Sequence, residues 1–335
     1  APLTSLDQLA AARAAVAETG RKYMVYYSER LHSEAATLAD WLVGRGAIGR
    51  VIHMEGFGPH RLGAARPGWF YSKARTGGIL CDIGSHQLEQ FLHFTGAERA
   101  CITSARRANY AHPDHPEFED FGDCTATAAN GATGYFRVDW FTPAGLRNWG
   151  DGRTFLLGTE GYIEMRKYID IAAPEMVENT VLWVDGEGEH RFNATGQVGC
   201  PFFGRLIRDC LDRTETAMTQ AHAFAAAELC LQAQAMADRA AAQAAPGCPG
   251  SAWQTVPRPA AVCGRRHKAP AGFNNSNKNS GKPPPPALRR GRGFAVSLEK
   301  GEKGGGETAA YRSTTSRPSR VKRAGERKAM RSGPV

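Results

Sequence analysis

An aspartate and a histidine lie one helical turn apart in a glycine-rich segment of the chain. Residues 76–89 read TGGILCDIGSHQLE, which places Asp82 and His86 four positions apart at the start of a predicted helix. Residues at this spacing project from one helix face. An imidazole can take a hydroxyl proton while a hydride leaves the same carbon, and an adjacent carboxylate would raise the imidazole pKa and orient the ring. The spacing favours acid–base chemistry on an alcohol, although an N-cap aspartate and a surface histidine also fit it.

A loop over residues 58–78, rich in Gly, Pro and Arg, precedes this pair. Among its polar and aromatic side chains are His60, Arg61, Trp69 and Lys73. Ligand sites combine aromatic surface with a few placed polar groups. We therefore expect these four residues to bind the substrate, with an ordinary solvated loop as the alternative.

The patterning of the chain predicts an α+β fold. From residue 100 to residue 192, apolar and polar residues alternate between turn signals such as Asn130-Gly131 and Asp185-Gly186, which indicates an antiparallel sheet. Strands are predicted at 51–57, 101–105, 124–128, 134–140, 153–157, 162–166 and 181–184, and helices at 32–43, 82–94, 203–213 and 219–241. This order favours an open, mainly antiparallel sheet with helices on one face.

The N-terminal residues have a different character. An alanine-rich helix over 6–17, with Thr4 or Ser5 as N-cap and Gly20 as its end, leads into an apolar strand-like run at 23–27. A helix feeding a buried strand is how a doubly wound nucleotide-binding domain ends. We predict that residues 1–28 are the remnant of such a domain and that residues 29–244 form the substrate and catalytic domain.

The net charge of +9 is concentrated in the C-terminal segment. Residues 1–244 hold 23 Lys+Arg and 29 Asp+Glu, whereas residues 245–335 hold 19 and 4. This segment is also rich in Pro and Gly and poor in large apolar residues, which predicts a disordered basic tail. Its contacts with nucleic acid would be non-specific, because no recognition motif accompanies the charge.

Composition argues against several other classes. No apolar run approaches the ~18–20 residues that span a bilayer, and no signal peptide is recognisable. The eight cysteines form no C-x-x-C pair, which fits a cytoplasmic protein without a zinc site. Residues 112–123 contain metal-ligand side chains, but two prolines and the lack of a further cluster favour an acidic surface loop. We expect no metal site.

The segment around Asp82 and His86 resembles the G-G-G-x-L-x-D-x-G-x-H signature of the Gfo/Idh/MocA family (glucose–fructose oxidoreductase, inositol dehydrogenase and relatives). The similarity extends over about residues 1–240. It includes YYSER at 26–30, GAIGRV at 46–51, Trp69, residues 153–164 and the helix at 219–234, which all look like the C-terminal domain of the family.

This resemblance implies an oxidoreductase that uses NAD or NADP and acts on a sugar, a polyol or a related hydroxyl compound. By position, His86 matches the general acid/base of the family, and Asp82 matches its partner carboxylate. Arg30, Gly77 and Gly78 are the expected cofactor contacts.

Two motifs of the family's nucleotide-binding domain are not matched: G-x-G-x-x-G after a first strand, and E-K-P. Residues 44–49 read GRGAIG, but they end a helix and enter a strand, whereas the dinucleotide fingerprint ends a strand and opens a helix. We interpret them as a helix C-cap and turn, and we expect most of the cofactor-binding half to be missing. The alternative function is a non-catalytic fragment or dimerisation module, because an open sheet needs a partner. We expect a homo-oligomer through that sheet.

Overall fold

An eight-stranded open sheet is the centre of the structure. A computed structural model describes residues 3–63, 66–173 and 177–243; the predicted basic tail lies outside these residues. The strands are β1 (Val51–Pro59), β2 (Ala100–Ala108), β3 (Phe121–Ala128), β4 (Thr133–Asp139), β5 (Arg153–Gly158), β6 (Tyr162–Arg166), β7 (Thr180–Asp185) and β8 (Gly188–Asn193). Their order is β2-β3-β4-β1-β5-β6-β7-β8.

The pairing of the strands confirms the predicted sheet type. All neighbours are antiparallel except β1 and β4, which pair in parallel. Seven predicted strands are found in place. The alternation predicted from the sequence extends to residue 192, but no separate strand is predicted for β8. This strand pairs with β7 across the predicted turn.

The helices are α1 (Leu6–Thr19), α2 (Ser28–Leu31), α3 (Glu34–Gly44), α4 (Lys73–Thr76), α5 (Ile79–Asp82), α6 (Gly84–Thr95), α7 (Phe202–Asp212) and α8 (Gln220–Gln243). Ser5 caps α1 through its side chain, and Gly20 ends it in the left-handed conformation, as the sequence predicts. Gly46 and Gly49 also have positive φ, and they lie in the turn that follows α3 and enters β1, as the sequence interpretation of a helix end requires. No described helix has the length and apolarity needed to cross a membrane.

One face of the sheet is covered by helices. Helix α6 packs on β1 and β4, α8 packs on β2, and α3 packs on β6 and β7. The approach of α6 to β1 is close because Gly56 has no side chain: a Cβ there would lie 2.5 Å from Oε1 of Gln87. The sequence-predicted α+β architecture with helices on one face is therefore confirmed.

The strand predicted at residues 23–27 is wrong. These residues have no regular secondary structure and pair with no strand among the described residues. The Tyr23 backbone N–H donates to Oε1 of Gln220 over 2.8 Å, and the Tyr23 ring stacks on Phe224 with centroids 4.7 Å apart. The apolar run therefore gains its burial by packing on α8 instead of by joining a ladder.

Gly78 provides a test of how tightly α8 packs on the segment that precedes Asp82. Its φ of 90° and ψ of 168° belong to a region that only glycine populates readily, and an added Cβ would collide with the amide of Gln234. We expect Gly78→Ala to lower the free energy of unfolding by about 2–4 kcal/mol, since backbone strain and overpacking add. Denaturant unfolding measures this.

Gly20→Ala is the matched control for that experiment. Gly20 also has positive φ (62°), but no atom lies within 4 Å of the added Cβ. It should cost about 1 kcal/mol, from strain alone. Equal losses for the two variants would show that contact with Gln234 is irrelevant.

Candidate active site

The chain carries Asp82 and His86 on one nearly continuous helical path. Helix α5 ends at Asp82 and α6 begins at Gly84, and the intervening Ile83 has φ −81° and ψ −39°. The His86 backbone N–H donates to the Ile83 carbonyl over 3.1 Å. This continuity places the two residues one turn apart, and the Asp82 charge acts on the His86 imidazole, although α6 itself begins two residues later than predicted.

The His86 side chain is partly buried, and one of its ring nitrogens is unused. Its Nδ1 is buried without a hydrogen-bond partner, and the Tyr27 ring lies edge-on with centroids 6.0 Å apart. Burial lowers the imidazole pKa; Glu29 and Asp82 act to raise it, whereas His60 and Lys167 lower it. The adjacent carboxylate of Asp82 does act to raise the His86 pKa, as expected, but desolvation outweighs it and the net shift is downward. The ring is neutral at pH 7 and can accept a proton.

A ring of buried polar side chains adjoins His86. Nζ of Lys167 lies 3.0 Å from Oε2 of Glu29 and 3.2 Å from Oε1 of Gln90. Nε2 of Gln90 donates to the His86 carbonyl over 2.8 Å, and Nε2 of Gln87 donates to the same Glu29 oxygen over 2.7 Å. We call Glu29, Gln87, Gln90 and Lys167 the polar ring.

The Glu29 carboxyl group in the polar ring is ionised. The Lys167 side chain is fully buried, and that of Glu29 is 3% exposed. Burial alone would raise the Glu29 pKa, but Lys167, His86 and His60 together lower it to about 2. Glu29 therefore provides a fixed negative charge near His86 at every physiological pH.

Glu29 and Lys167 lie next to His86 but are not indicated by the motifs of the sequence. Lys167 continues the inward face of β6, where Ile163 and Met165 are buried, so the period-two alternation could have indicated a buried lysine. Glu29 had been noted only as part of a family-like segment. No local pattern marks it, because its partner is 138 residues away.

Arg30, a predicted cofactor contact, is held by a buried carboxylate. Its Nε donates to Oε1 of Glu89 over 2.8 Å, and His222 lies 2.9 Å from the same oxygen. The charge of Arg30 is therefore matched within the protein. Its role toward a cofactor stays a prediction.

The predicted contacts Gly77, Gly78 and Lys73 lie around another buried acid. Glu119 accepts hydrogen bonds from the Ile79 N–H (2.9 Å), from Gln234 (3.0 Å) and from Nζ of Lys73 (2.7 Å). Further ion pairs complete the cluster: Lys73 with Asp238, and Arg107 with Asp238 and Glu119. The cluster locks the loop onto α8.

The space next to each glycine is filled by the protein itself. A Cβ on Gly77 would meet Thr4 and Cys81 at 3.2 Å, and one on Gly78 would meet Gln234. A groove of about 360 Å³ nearby is lined by Lys73, Gly77 and the start of α1. These two glycines therefore have a packing role, and cofactor binding by them stays a prediction.

The other predicted substrate contacts separate into fixed and exposed side chains. Arg61 donates to the carbonyls of Pro143, Leu146 and Asn148 at 2.6–3.1 Å. These hydrogen bonds hold its guanidinium group against the loop at 143–148. His60 stacks near Trp149 with centroids 4.5 Å apart and influences His86 electrostatically. Trp69 is 58% exposed. His60 alone of these adjoins the His86 region.

The cavity beside Asp82 is small. It is lined by Phe70, Thr76, Asp82, Trp140 and neighbouring residues and has a volume of about 10 Å³, which is enough for about one water molecule. A sugar would therefore require movement of the surrounding loop. Among the described residues, no group of three or more His, Cys, Asp or Glu side chains is arranged to hold a metal ion.

Comparisons with known proteins agree with this architecture. The family model for the GFO/IDH/MocA C-terminal domain matches residues 38–164. A candidate oxidoreductase from Erwinia carotovora atroseptica SCRI1043 is 57% identical, with a TM-score of 0.69 and coverage of 70% of each chain. No curated protein matches the chain.

Two more distant solved structures share the fold. An oxidoreductase from Agrobacterium radiobacter, solved with NAD+, L-tartaric acid and magnesium, has 16% identity and a TM-score of 0.57 over 70% of this chain and 68% of its own. The aldose–aldose oxidoreductase of Caulobacter crescentus, solved with glycerol, has 21% identity and a TM-score of 0.56 over 71% and 68%. The chain belongs to the Gfo/Idh/MocA family of oxidoreductases.

Proposed function

We propose that the protein takes part in hydride transfer between NAD or NADP and the hydroxyl-bearing carbon of a sugar, a polyol or a related compound. The observation that carries the proposal is the partly buried His86 imidazole, whose pKa is lowered by burial and whose Nδ1 has no hydrogen-bond partner. Membership of an oxidoreductase family supports the reaction type. The NAD+ of one fold neighbour and the glycerol of another support the cofactor and substrate classes by analogy of fold.

The residues of this chain account for the proton in that reaction. Neutral His86 accepts the proton of the substrate hydroxyl as the C–O bond gains double-bond character. The imidazolium that forms lies near two carboxylates, Glu29 and Asp82, which favour its charge. In the reverse direction His86 returns the proton. Bound NAD(P)+ supplies the hydride acceptor.

The three predicted cofactor contacts are already engaged by other parts of the protein. Arg30 is paired with Glu89, and the spaces beside Gly77 and Gly78 are filled by Thr4, Cys81 and Gln234. We therefore assign no cofactor-binding step to these residues.

Cofactor reduction tests the proposal. The chain, alone and joined to a family dinucleotide-binding domain, is incubated with NAD+ or NADP+ and with D-glucose, glycerol or L-tartrate. Formation of reduced nicotinamide in either form supports the proposal. A folded protein that reduces neither cofactor in either form, and that binds neither reduced cofactor, contradicts it.

Trp69 is the accessible predicted substrate contact. Because its side chain is 58% exposed, Trp69→Ala should change the free energy of unfolding by no more than about 0.5 kcal/mol. We expect KM to rise about 5–30-fold through the loss of roughly 1–2 kcal/mol of ring contact with the sugar. Steady-state kinetics measure KM. An unchanged KM would remove Trp69 from the substrate site, and Trp183→Ala on β7 is the control.

The second candidate function is a non-catalytic assembly module. Two observations favour it: the cavity at Asp82 is small, and the sheet exposes large apolar side chains. Phe155 is 36% exposed, and Leu157 and Tyr162, which face each other across β5 and β6, are 46% and 43% exposed. We propose that a second copy covers this surface. Light scattering should then show a dimer that Leu157→Lys dissociates, and a monomeric wild-type protein would exclude the module.

A further inference from the structure

We propose that Glu29 and Lys167 are positioning residues for His86. Lys167 holds the Glu29 carboxylate, and the polar ring fixes the first turn of α6 so that the imidazole meets that carboxylate when it becomes charged. This inference rests on the proposed function, because it concerns how the proton acceptor works.

The hydrogen bonds of the polar ring close around His86. From Glu29, the path runs through Nζ of Lys167 (3.0 Å) to Gln90 (3.2 Å), and from Gln90 to the His86 carbonyl (2.8 Å). It returns through Gln87, the next residue in the chain, to the same Glu29 oxygen (2.7 Å). These hydrogen bonds connect α2 and the residue after β6 to the first turns of α6, and Gln90 links them to the His86 backbone.

Two buried polar atoms in this region are available for an interaction when His86 becomes charged. Oε1 of Glu29 and Nδ1 of His86 are both buried without hydrogen-bond partners. An unsatisfied buried acceptor and an imidazole nitrogen are costly to maintain in a resting protein. Their cost falls when the imidazole is protonated, because a positive charge then lies near a carboxylate.

Stability alone gives little reason to bury the two charges. A buried ion pair is often no more stable than apolar residues of the same volume. Ile163, Met165 and Leu156 on the inner faces of the neighbouring strands show that the sheet accepts apolar side chains at this depth. The charged pair is therefore explained better by its proximity to His86.

The charge balance at His86 defines the role of each group. The titratable groups that act on the imidazole are Glu29 from α2, His60 after β1, Lys167 after β6 and Asp82 from α5. Glu29 has the largest effect among these charges, and Asp82 the smallest. During the reaction the proton passes from the substrate oxygen to the imidazole and stays there. Glu29 remains ionised, since its pKa is about 2.

Titration of His86 by NMR tests the inference on the chain as it is, without turnover. Histidine is labelled in the imidazole ring, and the His86 signal is assigned by its loss in His86→Asn. We expect Glu29→Gln to weaken proton binding by His86 about tenfold, and Asp82→Asn to weaken it less. Glu228→Gln, an exposed glutamate on α8 paired with Arg13, should leave the titration unchanged.

A double variant protects the test against misfolding. Glu29→Gln leaves Lys167 buried and unpaired, whereas Glu29→Gln with Lys167→Met removes both charges. The double variant should weaken proton binding by less than Glu29→Gln, because the opposing effect of Lys167 is also lost. A His86 titration that changes no more in these variants than in Asp82→Asn overturns the inference. This result is independent of the cofactor-reduction assay, whose failure would contradict only the proposed function.

Discussion

Replacing His86 by asparagine is expected to lower kcat/KM about 10²–10⁴-fold, which is the usual contribution of a general acid/base. Asparagine is similar in size and polar, but it cannot accept the hydroxyl proton. Since the proposed role of His86 is that of a base and not of a binding group, the loss should appear mainly in kcat. Steady-state kinetics with the best substrate of the cofactor-reduction panel measure it.

The matched control is His93→Asn on the same helix. His93 lies two turns further along α6, is 28% exposed, and is 2.7 Å from Asp40 at the surface. Its replacement should leave kcat within about twofold of the wild type, since surface substitutions change little. Equal rates for His86→Asn and the wild type would remove His86 from the mechanism.

The pH dependence of kcat/KM should report the same group. Only the neutral imidazole accepts a proton, so activity rises with pH as the His86 imidazolium is deprotonated. Burial lowers the His86 pKa below its ordinary value of 6.5, so the acid limb of the profile should lie below pH 6.5. An acid limb centred above pH 6.5 would mean that another group controls the reaction.

The fold could be predicted largely from the sequence, because local patterns determine it. Alternation in β3 through β7 and the caps at Ser5 and Gly20 depend on neighbouring residues, and each is found in place. The strand prediction for residues 23–27 was wrong for the opposite reason. Its composition is typical of a strand, but whether a strand forms depends on an adjacent edge, and Tyr23 instead packs on Phe224.

The site was only partly predictable, because its electrostatics depend on contacts between distant parts of the chain. Spacing was sufficient to place Asp82 and His86 on one helical path. It could not show that burial outweighs the effect of the Asp82 charge on the His86 pKa. Nor could it show that Glu29 and Lys167, which are 138 residues apart in the chain, pair with each other near His86. Similarly, Arg30 and Lys73 are residues of a type that often binds ligands, but they form ion pairs with Glu89 and Glu119 within the protein.

Lys167→Met should be among the most destabilising single substitutions in the described part of the chain. Removing the ammonium leaves the Glu29 carboxylate buried without its cation, and breaking such a pair costs about 3–5 kcal/mol. Denaturant unfolding at pH 7 measures this loss. Glu29→Gln combined with Lys167→Met should recover most of it, because no unpaired charge then stays buried.

Acid should reduce the difference between Lys167→Met and the wild type. In the wild type the Glu29 pKa is about 2, below its ordinary value of 4.5, so the pair stabilises the fold fully above pH 4.5 and progressively less as pH falls toward 2. In the variant, burial without Lys167 raises the Glu29 pKa, and protonation on acidification removes the unpaired charge. The destabilisation by Lys167→Met should therefore shrink between pH 7 and pH 4. A difference that stays constant with pH would show that Lys167 acts through packing and not through the charge of Glu29.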